Sequence, residues 1–220
     1  MPIKILALAL LAGLWAFPAR SQNVSEVGGP AATSLQDRNL SLPDFTPRYH
    51  LRIGADNIFN EELNESYGLL TGAEVGVTLA ISRHARFFAN LGYFRTQGDP
   101  YYDLDGMSDE DGLLLQTIPM TVGVLLNASE NPHFRLHFGA GLGPHYVRER
   151  IPDLEGNLTA DGLLMGWHFF MCPEFDLGQG ALGVELGVGG ARGRLTEGHH
   201  RHDIDLWAFQ PRIVYTLPWR

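Results

Sequence analysis

One stretch of the chain alternates between apolar and polar side chains over its whole length, HFRLHFGAGLGPHYVRER at 133–150. Its even positions include Phe134, Leu136, Phe138, Leu142 and Tyr146, and its odd positions carry histidines, Arg135 and three glycines. A period of two predicts a β-strand with one apolar and one polar face. In a soluble sheet the polar face would meet water, but a row of glycines makes a poor solvated surface. A membrane barrel reverses the arrangement, because its apolar face points outward to lipid.

Eight alternating runs of this kind follow one another along the chain. Their approximate limits are 49–58, 68–82, 85–96, 113–127, 133–148, 162–176, 181–194 and 204–219. Most exceed the length of about 5 to 6 residues that is usual for a globular strand. Eight strands make the smallest common barrel, whose interior is just wide enough for side chains to fill. A soluble eight-stranded barrel or a sandwich, with the same apolar rows turned inward, is the alternative.

The segments between these runs alternate in length. Long polar segments occupy 59–67, 97–112, 149–161 and 195–203, whereas the segments at 82–85, 128–132 and 177–180 are short. Long extracellular loops on one side and short periplasmic turns on the other are typical of outer-membrane barrels. The strand order then puts the start of the first run and Trp219 on the periplasmic side.

Outward-facing aromatic side chains are predicted at both ends of the strands. Near the short turns they are Tyr49, Phe87, Phe134, Phe175, Tyr215 and Trp219, and toward the long loops they are Tyr67, Tyr93, Tyr146, Trp167 and Trp207. Two aromatic girdles around an aliphatic band are typical of a barrel in a bilayer.

The N-terminal part of the chain has a different composition. Residues 1–21 contain Lys4, an apolar run and the small-x-small sequence Ala19-Arg20-Ser21, which predict a cleaved secretory signal peptide. A membrane anchor is the alternative, but the apolar run is short for a spanning helix. Residues 22–47 show no period and are rich in Ser, Gly, Pro and Asn, so we expect a flexible segment before a barrel domain at 48–220.

Charge and cysteine content exclude some classes of protein. The formal net charge is −9, with 25 acidic and 16 basic residues, which argues against nucleic acid as a partner. Cys172 is the only cysteine, so no internal disulfide can form. No residue pattern indicates a cofactor.

The chain resembles the small eight-stranded outer-membrane β-barrel proteins, such as OmpX, OmpW and the transmembrane domain of OmpA. The resemblance rests on the predicted signal peptide and on three segments: IPMTVGVLLN at 118–127, FRLHFGAGLGPHYV at 134–147 and the terminal strand FQPRIVYTLPW at 209–219. It implies an all-β, antiparallel up-and-down barrel in the bacterial outer membrane, placed there by the barrel-assembly machinery and in contact with membrane lipids and lipopolysaccharide.

The pattern of the whole chain, with a lumen that we expect to be filled, favours a non-enzymatic structural or surface-interaction role, with an extracellular ligand possible at the loops. A narrow channel for ions or small apolar compounds is one alternative, and a lipid A-modifying enzyme is another. Nucleophilic catalysis by a serine would need a histidine within hydrogen-bond reach. Among the serines that follow residue 47, only Ser66 and Ser108 fall in the predicted extracellular loops, and no motif surrounds either.

Charged side chains on the inward face are expected to pair, because a narrow lumen cannot hydrate them all. Matching the hairpins about the centres of their loops gives the pairs Arg52 with Glu74, Arg135 with Glu174, and Glu185 with Arg212. Glycines at 139–143 and 183–189 leave room beside large inward groups such as Phe88 and Phe170. They suit a narrow channel or tight packing in a closed barrel, and packing is favoured.

Arginines near the loop-side ends of the strands are candidates for contact with lipopolysaccharide, because the guanidinium fork matches phosphate geometry. They are Arg95, Arg148, Arg150, Arg192 and Arg194. Solvated strand ends are an equally good explanation of these residues.

Two loops contain residue types that bind metal ions. The acidic segment 97–112, with Asp103, Asp105 and Asp109, could collect Ca²⁺ or Mg²⁺ through oxygen ligands, although its spacing is not that of an EF-hand. The histidines of the last loop, His199, His200 and His202, suit Zn²⁺ or Cu²⁺. Solvated polar loops are the favoured explanation of both segments.

Overall fold

The computed structural model describes residues 46–98, 112–129, 131, 133–153, 156–197 and 200–218, apart from Arg83. The strands in this part are β1 (Arg48–Ile58), β2 (Leu69–Ala80), β3 (Ala85–Gly98), β4 (Leu113–Asn127), β5 (Phe134–Asp153), β6 (Gly156–Asp176), β7 (Ala181–Glu197), β8 (His200–Asp205) and β9 (Ala208–Pro218). One short helix, α1 (Glu61–Tyr67), joins β1 to β2. The predicted signal peptide and nearly all of segment 22–47 lie outside the described residues. Across the described ranges, no helix is long and apolar enough to cross a membrane.

The strands close into a ring. Each of β1 to β6 pairs antiparallel with the next strand along the chain. β7 pairs with β9, and β9 pairs with β1 to close the ring. β8 pairs with the loop-side end of β7. Leu206 and Trp207 interrupt the strand between β8 and β9, so β8 and β9 together form the eighth strand of the barrel. Closure satisfies the backbone hydrogen bonds of the ring without a free edge. The predicted eight-stranded antiparallel barrel is confirmed.

Alternation along the strands sends apolar side chains outward. Exposed outward positions occur all around the ring and include Leu51, Val75, Leu91, Val122, Phe138, Met171, Val184 and Ile213. Phe87, Phe175 and Tyr215 are exposed toward the short turns, and Tyr93 and Trp207 are exposed toward the loops. Trp219 lies outside the described residues.

The prediction that Tyr67 belongs to the outer aromatic girdle is wrong. Tyr67 is the last residue of α1 and is only 4% exposed, because the helix folds over the loop-side mouth of the barrel and turns this ring inward. Asn60 caps the start of α1, with its side-chain oxygen accepting from the Leu63 amide at 3.3 Å.

Two of the four segments predicted as long loops are largely strand. β5 and β6 pair without interruption up to Asp153 and Gly156, and β7 and β8 pair up to Glu197 and His200. Polar composition predicted loops here, but a strand that rises beyond the lipid has no need of an apolar outer face. Residues 99–111 of the acidic segment are not among the described residues.

The lumen is filled by stacked groups of inward side chains. Toward the loops lies a loop-end apolar layer formed by Ile58, Tyr67, Leu70, Phe94, Leu113, Leu115, Val147, Ala160, Leu164, Ala191, Leu195, Ile204 and Leu206. Nearer the short turns, a smaller turn-end cluster contains Phe88, Leu125, Phe170, Cys172 and Val214. Its Phe88 and Phe170 rings meet edge to face, with their centroids 5.8 Å apart.

Glycines in the barrel wall make room for these rings. A Cβ on Gly139 would overlap the ring of Phe170, and a Cβ on Gly141 would lie 2.7 Å from Cζ of Phe88. The glycine rows therefore serve packing at these positions.

Replacing Gly139 with valine is expected to lower the free energy of unfolding by about 1–3 kcal/mol, because the added methyl groups force the Phe170 ring to move. Urea titration of the barrel in phospholipid vesicles measures this. The double variant Gly139→Val with Phe170→Ala tests the cause. If valine displaces the Phe170 ring, the stability losses of the two single variants should sum to more than the loss of the double variant. Strictly additive losses would show that the ring is not what valine displaces.

Candidate functional site

Charged side chains from four strands meet in the middle of the lumen. This polar layer consists of Arg52 and Asp56 on β1, Glu74 on β2, Glu185 on β7 and Arg212 on β9. Arg52 contacts Glu74 (Nη1 to Oε2, 3.4 Å) and Glu185 (Nε to Oε2, 3.2 Å). Arg212 contacts Glu74 (Nη1 to Oε1, 2.8 Å), Asp56 (Nη2 to Oδ1, 3.2 Å) and Glu185 (Nη1 to Oε1, 3.7 Å). Two arginines thus share three carboxylates, and four of these five side chains are at most 3% exposed.

Aromatic rings border the polar layer on two sides. The Arg52 guanidinium carbon lies 4.9 Å from the centroid of Phe170, and that of Arg212 lies 5.0 Å from the centroid of Phe94. Cation–π attraction strengthens in such dry surroundings. His168 stacks on Phe170 and brings its Nε2 to 3.5 Å from a Glu185 oxygen. The layer is therefore packed between the turn-end cluster and the loop-end apolar layer.

The third predicted pair lies apart from this layer. Arg135 Nη1 is 3.1 Å from Glu174 Oε1, and Arg135 Nη2 is 2.8 Å from Asp176 Oδ2. Thr216 donates to the other Glu174 oxygen at 3.0 Å. Arg135 and Asp176 are partly exposed, so this group lines the turn-side end of the lumen and does not seal its middle.

A second group of polar side chains sits at the loop-side mouth. This mouth cluster consists of Tyr67, Glu149 and His202, from α1, β5 and β8. The Tyr67 hydroxyl donates to Glu149 Oε1, and His202 Nε2 lies 3.0 Å from Glu149 Oε2. Burial, reinforced by the adjacent Glu149 carboxylate, raises the pKa of Tyr67 above its ordinary value, so the hydroxyl stays a donor. One buried carboxylate thereby ties three loop-side segments together.

Sequence reasoning missed the mouth cluster although a signal was present. Glu149 continues the odd-numbered inward row of the stretch at 133–150, but the charged residues around it predict a loop. Leu195 of the loop-end apolar layer likewise falls in a segment, 195–203, whose polar composition predicts a loop.

The predicted lipopolysaccharide-contact arginines all lie on outward positions of their strands. Arg95, Arg148 and Arg192 are exposed, and Arg150 is half-buried. Arg95 and Arg148 flank Gln116 in one row across β3, β4 and β5. Arg194 differs from the others, because its Nε lies 3.0 Å from Asp203 Oδ1 in an exposed ion pair.

The predicted metal ligands do not come together in the described part of the chain. His202 contacts Glu149, and no group of three or more histidine, cysteine or acidic side chains that could hold a metal ion occurs among the described residues. His199, Asp103, Asp105 and Asp109 lie outside those residues, and His200 is described only as part of β8. Ser66 is a buried residue of α1, whereas Ser108 is not described.

Replacing Tyr67 with phenylalanine is expected to loosen the mouth, because Glu149 then loses a donor in a buried position. We expect trypsin to cleave after Arg201 in β8 several-fold faster in this variant. The control is Tyr146→Phe, which removes an exposed hydroxyl that donates to Asp161 at 3.3 Å and should leave the cleavage rate unchanged. Equal rates in both variants would contradict the proposed role of Glu149 as a tie.

A solved structure with the same architecture supports the assignment of the fold. A major outer membrane protein from Thermus thermophilus matches with a TM-score of 0.52 and 12% identity, covering 79% of this chain and 99% of that one. The protein is an outer-membrane β-barrel by fold. Its exposed apolar belt agrees with a place in the bacterial outer membrane.

Two further solved structures match the chain less closely. Neisserial surface protein A matches with a TM-score of 0.44 and 8% identity, covering 79% of this chain and 96% of that one. The attachment invasion locus protein Ail of Yersinia pestis matches with a TM-score of 0.44 and 8% identity, covering 78% and 97%. No family model and no curated protein matches the chain.

Proposed function

We propose that the protein is a closed, non-enzymatic outer-membrane barrel that acts as a structural and surface-interaction element. The observation that carries this proposal is the filled lumen. The polar layer has buried ion pairs, and the loop-end apolar layer above it contains fully buried side chains such as Phe94, Leu115 and Leu195. An ion would have to displace both layers in series to cross.

The mouth cluster supports the surface role. It holds α1 and β8 against β5 through Glu149, so the described part of the loop side around Glu149 presents a fixed shape to a partner. Preorganised surfaces bind with a smaller loss of conformational entropy than flexible loops.

Conductance in planar lipid bilayers tests the closed barrel. We expect no discrete openings from the wild-type protein at neutral pH. As a positive control, removing the side chains of Phe94 and Arg212 together should allow a leak. Discrete wild-type openings that disappear in Arg52→Gln or Arg212→Gln would instead identify the polar layer as a gate and reject this proposal.

A second candidate function is binding of lipopolysaccharide phosphates by the outward arginines. It is favoured by the row Arg95, Gln116 and Arg148, which lies next to the loop-side aromatics Tyr93 and Tyr146. Among the ion pairs of the described residues, none includes Arg95 or Arg148, although Arg148 lies opposite Asp161 on β6.

Lipopolysaccharide retention in native mass spectrometry tests this candidate. The variant Arg95→Gln with Arg148→Gln is expected to retain several-fold less lipopolysaccharide than wild type. A charge-matched control is Arg194→Gln with Arg201→Gln, because Arg194 is already paired with Asp203. Equal retention by the two double variants would remove Arg95 and Arg148 as a specific site.

A further inference from the structure

An apolar groove crosses the outer surface of the barrel between β4 and β9. It follows two adjacent rows of the sheet, in which residues on neighbouring strands face one another. One row runs from Leu126 through Phe138 and Met171 to Leu186, and the other from Val124 through Ala140, Phe169 and Val188 to Phe209. The volume of the groove is about 520 Å³.

The groove exists because a small residue sits among large ones. Ala140 points outward between Phe138 and Leu142 on the same strand, and these two side chains are 46% and 55% exposed. Phe169 stands opposite Ala140 on β6 and is 54% exposed. Gly139 and Gly187 contribute backbone to the floor. An otherwise convex wall thus has a recess bordered by tall side chains.

The size and chemistry of the recess suit a hydrocarbon chain. If a methylene group takes up about 30 Å³, as a water molecule does in the liquid, the recess has room for roughly one chain of 14 to 18 carbons. Its side-chain lining is wholly aliphatic and aromatic, so it offers no hydrogen-bond partner to a polar ligand.

We propose that this groove holds one acyl chain of a phospholipid in a fixed position. In a bilayer, apolar association is driven by close packing, because lipid tails are as apolar as leucine. A chain in the recess touches side chains on three sides, and an unfilled recess would forgo those dispersion contacts. The inference rests on the membrane location of the barrel and does not depend on the lumen being closed.

The groove runs from the turn-side end of β4, at Leu126, to the loop-side start of β9, at Phe209, and we assign its occupant to a phospholipid of the periplasmic leaflet that enters at the turn side. On β4 the groove begins at Leu126, which directly precedes the last residue of the strand, Asn127, at the turn side. A chain whose headgroup lies at that side can enter the recess from its end. A second barrel fits less well, because two convex walls touch along their protruding side chains and leave a recess beneath them empty.

Photo-crosslinking with a phosphatidylethanolamine that carries a diazirine on one acyl chain tests the proposal. The full-length protein is placed in vesicles free of lipopolysaccharide, and cross-linked peptides are mapped by mass spectrometry. We expect cross-links to concentrate on β5 and β6 around Ala140, and Ala140→Leu to reduce them at least fivefold. The matched control is Ala73→Leu, an exposed outward alanine on β2, which should change nothing.

Several outcomes would overturn the proposal. They are cross-links spread evenly around the belt, equal effects of the two alanine variants, groove cross-links that are lost when the protein-to-lipid ratio is raised because a second barrel covers the groove, or cross-links that need lipopolysaccharide. Heat-modifiable migration on gels establishes that Ala140→Leu still folds. If that variant fails to fold, Ala140→Val provides the same comparison with a smaller change of volume.

Discussion

Arg212→Leu is expected to lower the free energy of unfolding by about 3–5 kcal/mol, one of the two largest losses that we expect from a single substitution. The change leaves the carboxylates of Asp56, Glu74 and Glu185 buried with only Arg52 to balance them. Urea titration in phospholipid vesicles, followed by the fluorescence of Trp167 and Trp207, measures the loss.

An exposed ion pair provides the control for this substitution. Arg194 and Asp203 are 69% and 73% exposed, so Arg194→Leu should cost about 0–1 kcal/mol. Adding Glu74→Leu to Arg212→Leu should recover part of the loss, because it removes one of the unbalanced charges. If Arg212→Leu costs no more than Arg194→Leu, the polar layer does not stabilise the barrel in the way its geometry indicates.

Phe94→Ala is expected to cost a similar amount, about 3–5 kcal/mol. Phe94 is 1% exposed and packs in the loop-end apolar layer, and its ring also faces the Arg212 guanidinium. The substitution opens a cavity above the polar layer and removes that cation–π contact. The same urea titration measures it.

The preceding residue on β3 offers a control for Phe94. Tyr93 points outward and is 48% exposed, so lipid can fill the space that Tyr93→Ala leaves. We expect a clearly smaller loss of stability for that variant. Equal losses would mean that the interior at this level is not close-packed.

The sequence predicted the strands and their pairing well, for a physical reason. A strand that separates lipid from lumen must alternate at every residue, and a slip of one residue would expose the whole inner row to lipid. The structure accordingly places Arg52 opposite Glu74, Arg135 opposite Glu174, and Glu185 opposite Arg212. All three pairs belong to hairpins that are joined on the loop side, so the alternation of apolar and polar residues, and not a short turn, constrains these registers.

The sequence was less informative where the chain leaves the membrane. Beyond the aromatic girdles the outer face of a strand does not meet lipid, so it need not be apolar. Glu149 and Leu195 therefore continue strands whose polar composition predicts loops. The sequence also could not predict that two arginines share three carboxylates. Matching residues across hairpins shows only contacts between neighbouring strands. Arg212 and Glu74 lie on β9 and β2, which are not neighbours.

That last contact bears on how the barrel assembles. β1 and β9 lie at opposite ends of the described chain and meet only when the ring closes, which is the pairing with the greatest loop-closure cost. The contacts of Arg212 with Asp56 and Glu74, and of Arg52 with Glu185, all span this seam. An open sheet of eight strands therefore lacks them, and its arginines and carboxylates balance one another fully only on closure. The polar layer thus stabilises the closed ring relative to the open sheet, because the buried charges are fully paired only after closure.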